Sequence, residues 1–244
     1  ALIADAPGIA DYYAEEFGVP TELIRYGAPV LAGLPEAGVR GLGLTPGAYH
    51  LVVARFESEN HVLEIVEGYH AGGGTLPLVV VGAAPYSHEY TQRIEAVAAT
   101  DPRIRLLGRV DDQDLLDALY HHALTYVHGH SVGGTNPSLL RAMGAGTAVV
   151  AYDVGFNREV LDGRGWFFRT ADDLAPLFAR IEADPGVAEV AAAGRRWVAE
   201  ALTWPAVAAD YERLALLSDG NCTPDDRDAL LARLVAFISA GFGV

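Results

Sequence analysis

Lysine is missing altogether. All 17 basic residues of this 244-residue chain are arginines, set against 32 acids for a formal net charge of -15. A Walker-type phosphate loop needs its lysine, and so does Schiff-base catalysis, so both are excluded. The scarcity of positive charge leaves no basic footprint for a nucleic-acid backbone, and an anionic membrane surface would repel the chain as a whole. One cysteine, Cys222, excludes an internal disulfide framework and a cysteine-based zinc cluster. No apolar run reaches the roughly 18 residues of a membrane-spanning helix. No basic segment precedes an apolar stretch, so a secretory leader is not expected. With the single thiol, this points to a reduced, cytoplasmic setting. The one methionine, Met143, lies deep in the chain, and the sequence opens inside an apolar stretch, Ala1-Leu-Ile-Ala. It is therefore expected to be part of a longer protein.

Hydrophobic residues make up 51% and charged residues 20% of the chain, a globular composition with ample material for a core. Short apolar runs alternate with amphipathic segments. The strand candidates are 49–55, 76–83, 103–107, 124–128, 147–152 and 165–168; the helix candidates between them are 60–71, 88–99, 113–121, 137–143 and 157–161. Strands that are apolar on both faces and alternate with helices predict a parallel sheet covered on both sides. The fold class expected for 47–183 is thus α/β, a doubly wound, Rossmann-like sheet of about six strands.

The flanks read differently. A strand at 2–5, a helix at 9–17 and a strand at 22–25 make one βαβ unit, too small to bury its own faces. Residues 1–28 are therefore expected to be the remnant of a preceding domain, joined by a Gly/Pro-rich linker, 29–46, that carries Pro29, Pro35 and Pro46. Residues 184–244 predict helices at 187–202, 204–217 and 225–240. The sequon at Asn221-Cys-Thr223 reads as chance.

In open α/β sheets ligands bind beyond the carboxyl ends of the strands. The most unusual segment there is His128-Gly-His-Ser-Val-Gly-Gly-Thr-Asn-Pro-Ser138. Gly133 and Gly134 permit close backbone approach, Asn136 suits an N-cap and Pro137 the first helical position. A helix opening after such a turn is either a plain capped start or an anion site; the polar density favours a phosphate cradle over Gly133, Gly134, Thr135, Asn136 and Ser138. The dinucleotide fingerprint Gly-x-Gly-x-x-Gly is absent. His128 and His130, two apart, can face one side, but no third ligand is placed near them, so no metal is expected. His121 and His122 suit a helix carbonyl end. Arg55, at the end of a strand, is placed either for a ligand phosphate or simply at the surface. Glu57/Glu59 and Asp111/Asp112 suit solvated loops or helix starts, and Glu159 a cap or salt bridge.

Taken in order, Val53-Ala-Arg55, Val80-Val-Gly82, Leu107-Gly-Arg-Val110, Ala142-Met-Gly-Ala-Gly146 and Asn157-Arg-Glu159 resemble the C-terminal, donor-binding half of a two-domain GT-B glycosyltransferase of retaining family four. The string from His130 to Leu140 resembles the rhamnosyltransferase-like bacterial enzymes of that family. The likeness covers residues 1 to about 217, with Tyr26-Gly-Ala28 as the hinge and 204–217 as a helix crossing back to the acceptor domain.

That resemblance implies a sugar nucleotide as donor and no metal. Its base would lie against the backbone at Val110, and its diphosphate on Gly134–Ser138 with Arg55 as cation. Gly82, His128, His130 and Ser131 would join the donor site. The family's lysine falls near Asn60, and its Glu-x7-Glu pair on Gly133 and Arg141, so Arg141 takes the place of the glutamate that holds the ribose. The implied function is transfer of a sugar, rhamnose favoured, to a polysaccharide or lipid-linked acceptor held by the missing domain. The full-length protein would be cytoplasmic or peripheral at the inner membrane face. A non-catalytic binding module of the same fold is the alternative, with a sugar-nucleotide epimerase behind it for want of an acid–base pair. The uncovered faces of the fragment would favour a dimer.

Overall fold

The computed structural model describes residues 2–84 and 87–218. The helix expected at 225–240, together with Cys222 and the sequon, lies outside them.

Six parallel strands form the main sheet: β3 (His50–Val53), β4 (Leu78–Val81), β5 (Ile104–Gly108), β6 (Thr125–His128), β7 (Ala148–Tyr152) and β8 (Gly165–Phe168), in the order β5-β4-β3-β6-β7-β8. Each expected strand is present, with ends that shift by no more than two residues; β5 runs one residue further and β8 keeps its expected bounds. Side-chain alternation divides the core in two. Leu51, Val79, Val81, Tyr126, Val149 and Ala151 face one layer, while Val52, Leu78, Val80, Val127 and Val150 face the other.

The first layer is covered by α5 (Gln113–His121), α6 (Pro137–Ala145) and α9 (Val187–Ala201), the second by α3 (Val62–Ala71), α4 (His88–Ala98) and α8 (Ala171–Glu182). Helix α7 (Gly155–Leu161) follows β7. Asp112 caps α5 by accepting from the amides of Asp114 and Leu115 at 3.0 and 3.2 Å. His121 does serve a helix carbonyl end, though of α6: its Nδ1 lies 2.8 Å from the Ala145 carbonyl. His122 instead bonds the Leu34 carbonyl.

Two helices go beyond the sequence reading. Helix α2 (Ala37–Gly41) interrupts the linker, anchored by buried Val39. Helix α8 opens with a capping box between Thr170 and Asp173 and buries Leu174, Leu177, Phe178 and Ile181. Pro176 conceals its helical pattern, yet it sits on the exposed side, where a missing N–H is tolerated.

At the N-terminus β1 (Leu2–Ala4) and β2 (Thr21–Leu23) pair in parallel around α1 (Pro7–Phe17), as the βαβ reading requires. This unit is tied to the main sheet. The Gly8 amide at the start of α1 donates to Glu159 Oε2 of α7 at 3.2 Å, and the Ala28 amide donates to the Leu202 carbonyl at 2.7 Å. Helix α10 (Trp204–Ser218) returns toward the unit: the Trp204 ring packs on Gly27. The Tyr211 hydroxyl is pushed up by burial and by the nearby Tyr26 and Asp5.

Candidate functional site

The sheet order contains one reversal. The chain runs outward from β3 to β4 and β5, then returns to lay β6 on the other side of β3. The two strands pair only at His50–Thr125 and Leu51–Tyr126, whereas β3 and β4 pair over all four residues. Beyond Tyr126 the pair splays, and a crevice opens at the carboxyl ends, where such sheets bind ligands.

A cavity of about 140 Å³ lies in that crevice, bordered by Arg55, Asn60, Tyr126, His128, Asn136 and Ser138 among others. Two glycines permit its walls. A Cβ on Gly82, at φ 143°, would fall 1.8 Å from the Ala54 carbonyl oxygen, and one on Gly129 would fall 1.9 Å from that of Asn60. The strands and the following loops approach more closely there than any side chain allows.

The expected site residues sort into three groups. Arg55, His128, His130, Asn136 and Ser138 border the cavity. Gly134 and Thr135 turn toward the N-terminal unit: the Cβ position of Gly134 is 3.3 Å from Ile9, and Thr135 lines a cavity of about 50 Å³ with Asp5, Arg25, Tyr26 and Glu159. Ser131 is tied down, its amide and hydroxyl both donating to the Glu59 carbonyl. A Cβ on Gly133, at φ 96°, would lie 4.0 Å from His130 Nε2. Gly82 walls the cavity from behind through Ala54, and Val110 packs, half-buried, against the core on the α5 side.

Arg141 requires a correction. Its guanidinium grips Asp117 of α5 with two hydrogen bonds, 2.6 and 2.8 Å long, and the two side chains are only 19% and 13% exposed. It does not border the cavity. The residue expected to face the nucleotide instead joins α6 to α5, because the bidentate fit with a largely buried carboxylate holds it there.

The start of α6 also differs from a simple cradle. Pro137 has no N–H, the Ser138 amide donates to Asn136 Oδ1 at 2.9 Å, and the Leu139 amide donates to the Asn136 carbonyl at 3.1 Å. The cap therefore uses the first-turn donors that an anion would need.

What fills the crevice is a polar network that the sequence reading did not assemble. The Tyr126 hydroxyl lies 2.9 Å from Ser138 Oγ and 3.3 Å from both His128 Nδ1 and the Val53 carbonyl. Ser138 Oγ lies 2.7 Å from Asn136 Oδ1. Burial pushes the Tyr126 hydroxyl up to about 12. His128 is 3% exposed, and burial, followed by the neighbouring charge of His130, lowers its pKa to about 3, so the ring is neutral. Period-two spacing from His128 was the available signal for Tyr126.

His128 and His130 do share a side, their rings 6.0 Å apart. His130 Nδ1 meets Asn60 Oδ1 at 3.0 Å, and Asn60 Nδ2 donates to the Arg55 carbonyl. His61, held at φ 46°, stacks on Tyr152 with ring centres 3.9 Å apart and bonds the Gly129 carbonyl. Asn157 on α7 donates to the His130 and Tyr152 carbonyls. Arg55 stands at the rim, 65% exposed and 3.4 Å from Glu57. Among the described residues no group of three or more His, Cys, Asp or Glu is arranged to hold a metal ion.

No curated protein sequence matches the chain. Solved structures of the same fold do. Sucrose-phosphate synthase from Thermosynechococcus elongatus superposes with a TM-score of 0.75 at 23% identity, over 87% of this chain and 57% of that one. A glycosyltransferase from Rickettsia africae gives 0.73 at 15%, over 88% and 62%. Anabaena HepE in complex with UDP-glucose gives 0.74 at 16%, over 87% and 63%. The chain thus spans roughly three fifths of the length of these proteins. The model of the family described as glycosyl transferases group 1 matches residues 51–183, more than half of the chain and nearly all of the main sheet with its helices, and the chain belongs to that family.

Proposed function

We propose that this chain is the donor-binding half of a glycosyltransferase that takes a sugar from a nucleoside-diphosphate donor. The observation that carries the reading is the polar crevice between the splayed ends of β3 and β6, set within the family's own segment. Anabaena HepE, a solved structure of the same fold, holds UDP or UDP-glucose. Arg55 at the rim supplies the cation for the leaving diphosphate, so the chemistry is positioning plus charge stabilisation. No metal is called for in this scheme. Because the first turn of α6 is capped from within, the phosphates rest on Arg55 rather than on the helix start.

The finer reading is retaining transfer of rhamnose in surface-polysaccharide synthesis, in a cytoplasmic protein, with the acceptor on a preceding domain of which 1–28 is the remnant. The string from His130 to Leu140 supports it. Arg141, committed to Asp117, favours a second reading, a binding module without turnover.

A thermal-shift screen of UDP-sugars, GDP-sugars and dTDP-rhamnose separates the two. Stabilisation by one donor at sub-millimolar concentration is expected; none would leave the degenerate module. The chain alone is expected to bind donor without transferring sugar, since lost positioning forfeits ~7–11 kcal/mol of barrier lowering. Labelled donor and lipid-linked acceptors, supplied to this chain and to a two-domain protein, test that directly.

A further inference from the structure

The hydrogen-bond network in the crevice has a direction, and that direction assigns a proton. It begins at Asn136. The Ser138 amide donates to Asn136 Oδ1 at 2.9 Å, which fixes that atom as the oxygen of the side-chain amide. An amide oxygen only accepts. The 2.7 Å contact between Ser138 Oγ and Asn136 Oδ1 therefore uses the serine's hydrogen. Ser138 Oγ, with its hydrogen spent, accepts at 2.9 Å from the Tyr126 hydroxyl. A phenol has one hydrogen. Among the described residues two other oxygens lie within its reach, the Val53 carbonyl at 3.3 Å and the Tyr120 hydroxyl; donating to either would spend that hydrogen just as well. In either case the 3.3 Å contact between Tyr126 and His128 Nδ1 requires the hydrogen to sit on Nδ1.

His128 is neutral, as its burial dictates, so it carries one ring hydrogen, and Nδ1 has it. Nε2 is left as a bare acceptor. It is fully buried, finds no hydrogen-bond partner among the described residues, and belongs to a residue that borders the cavity. A buried polar atom left unpaired costs about 1–3 kcal/mol, so native structures keep few of them and those kept call for a functional account.

We propose that His128 Nε2 is the atom that accepts a hydrogen bond from a hydroxyl of the sugar nucleotide, making His128 a specificity-determining residue for a hydroxylated ligand. The lone pair repels a phosphate oxygen, which offers no hydrogen. The diphosphate is therefore held away from His128, on the Arg55 side, and the ring takes a sugar hydroxyl. The chain from Tyr126 through Ser138 to Asn136 keeps the tautomer in place, and Tyr126 and Ser138 are positioning residues for it. The proposal rests on the reading of the crevice as a sugar-nucleotide site, but the tautomer itself does not.

The first measurement is a long-range proton–nitrogen correlation spectrum of the whole, nitrogen-15-labelled chain at neutral pH. His128 is assigned by comparison with the His128→Gln variant. A protonated Nδ1 and an unprotonated Nε2 are expected; the opposite tautomer overturns the proposal whatever the chain binds. The second measurement uses UDP-glucose, dTDP-rhamnose and inorganic pyrophosphate as probes by calorimetry. His128→Asn keeps a polar group near Nδ1 and removes the acceptor, while His128→Gln places an amide oxygen close to Nε2.

For whichever sugar nucleotide binds, the dissociation constant is expected to rise roughly five- to tenfold in His128→Asn, to be largely restored in His128→Gln, and to stay unchanged for pyrophosphate in both. Equal weakening of pyrophosphate and sugar nucleotide would overturn the assignment. If no sugar nucleotide binds the unaltered chain while the expected tautomer is seen, the donor-site reading fails, and with it the identity of the hydroxyl. The Tyr126→Phe variant supplies the remaining check: if its His128 keeps the same single tautomer as the unaltered chain, the network is not what holds the proton.

Discussion

Two buried histidines sit at opposite ends of the same strand pair. His50 opens β3 beside Thr125, which opens β6; His128 closes β6. Both nitrogens of His50 are partnered: Nδ1 meets Thr125 Oγ1 at 2.7 Å and Nε2 meets Glu182 Oε1 at 3.1 Å. Glu182 in turn accepts from the Thr75 amide and hydroxyl and from the Leu76 amide. At His128 only Nδ1 is served. The amino-terminal edge of the sheet closes its polar groups against one another and so holds α8 to β3 and β4. The carboxyl-terminal edge leaves an acceptor open where the strands part. One edge closes on itself and the other leaves a ring nitrogen open, although residue type and burial are the same.

The largest expected effect comes from breaking the closed edge. Glu182→Ala strands the ring of His50 and three donors around Thr75, and should cost roughly 3 kcal/mol of stability by denaturant unfolding. Sugar-nucleotide affinity should be unchanged, because the site lies at the other end of the strands. A loss of affinity at unchanged stability would collapse the distinction.

Next is Arg141→Glu, which sets a carboxylate against Asp117. We expect a loss of about 2–3 kcal/mol in stability, as for a broken, largely buried pair, and no gain in binding of a ribonucleotide over its deoxy counterpart. Tighter ribonucleotide binding would restore Arg141 to the site.

Arg55→Ala should act in the opposite sense. It should weaken sugar-nucleotide binding by about 1.5 kcal/mol, the lower end for a charge-assisted contact at so exposed a residue, and leave the melting temperature where it was. An unchanged dissociation constant would remove Arg55 from the donor site.

The smallest effect separates the two edges by pH. His128 has a folded pKa of about 3, below its ordinary 6.5, so the unfolded chain takes up the proton first. The stability it contributes is complete above pH 6.5 and is lost as the pH falls toward 3. For Glu182, burial alone would raise the pKa, but hydrogen bonds from His50, Thr75 and Leu76 outweigh it and lower the value to about 2, from 4.5. Its contribution is present above pH 4.5 and fades as the pH falls toward 2. Unfolding curves between pH 6.5 and 4.5 should therefore flatten in His128→Gln and keep their slope in Glu182→Gln. The reverse pattern would mean that the open edge carries no acid sensitivity of its own.

The sequence alone determined the sheet and most of its helices. Runs such as Leu76–Ala83 bury both faces, and only a covered parallel strand satisfies that. Asn136-Pro137 and Asp112 marked helix starts because their side chains and ring geometry act within a few residues. Local signals also placed Arg55, His128, His130, Asn136 and Ser138 at the strand ends, where the crevice proved to be. They failed at α8, where Pro176 disguised a face whose partner, α3, lies about a hundred residues earlier.

What the tertiary structure decided was pairing at a distance. Arg141 meets Asp117 across two helices, Ser131 meets Glu59, Glu159 caps α1, and Tyr126 joins β6 to the start of α6. None of these partners is set by period or cap; each depends on where the strands diverge and how the helices pack over them. The direction of the network at His128 belongs to this second kind. It needs two atoms on one side chain and the single hydrogen of another within reach of one another, and only the assembled crevice brings them together.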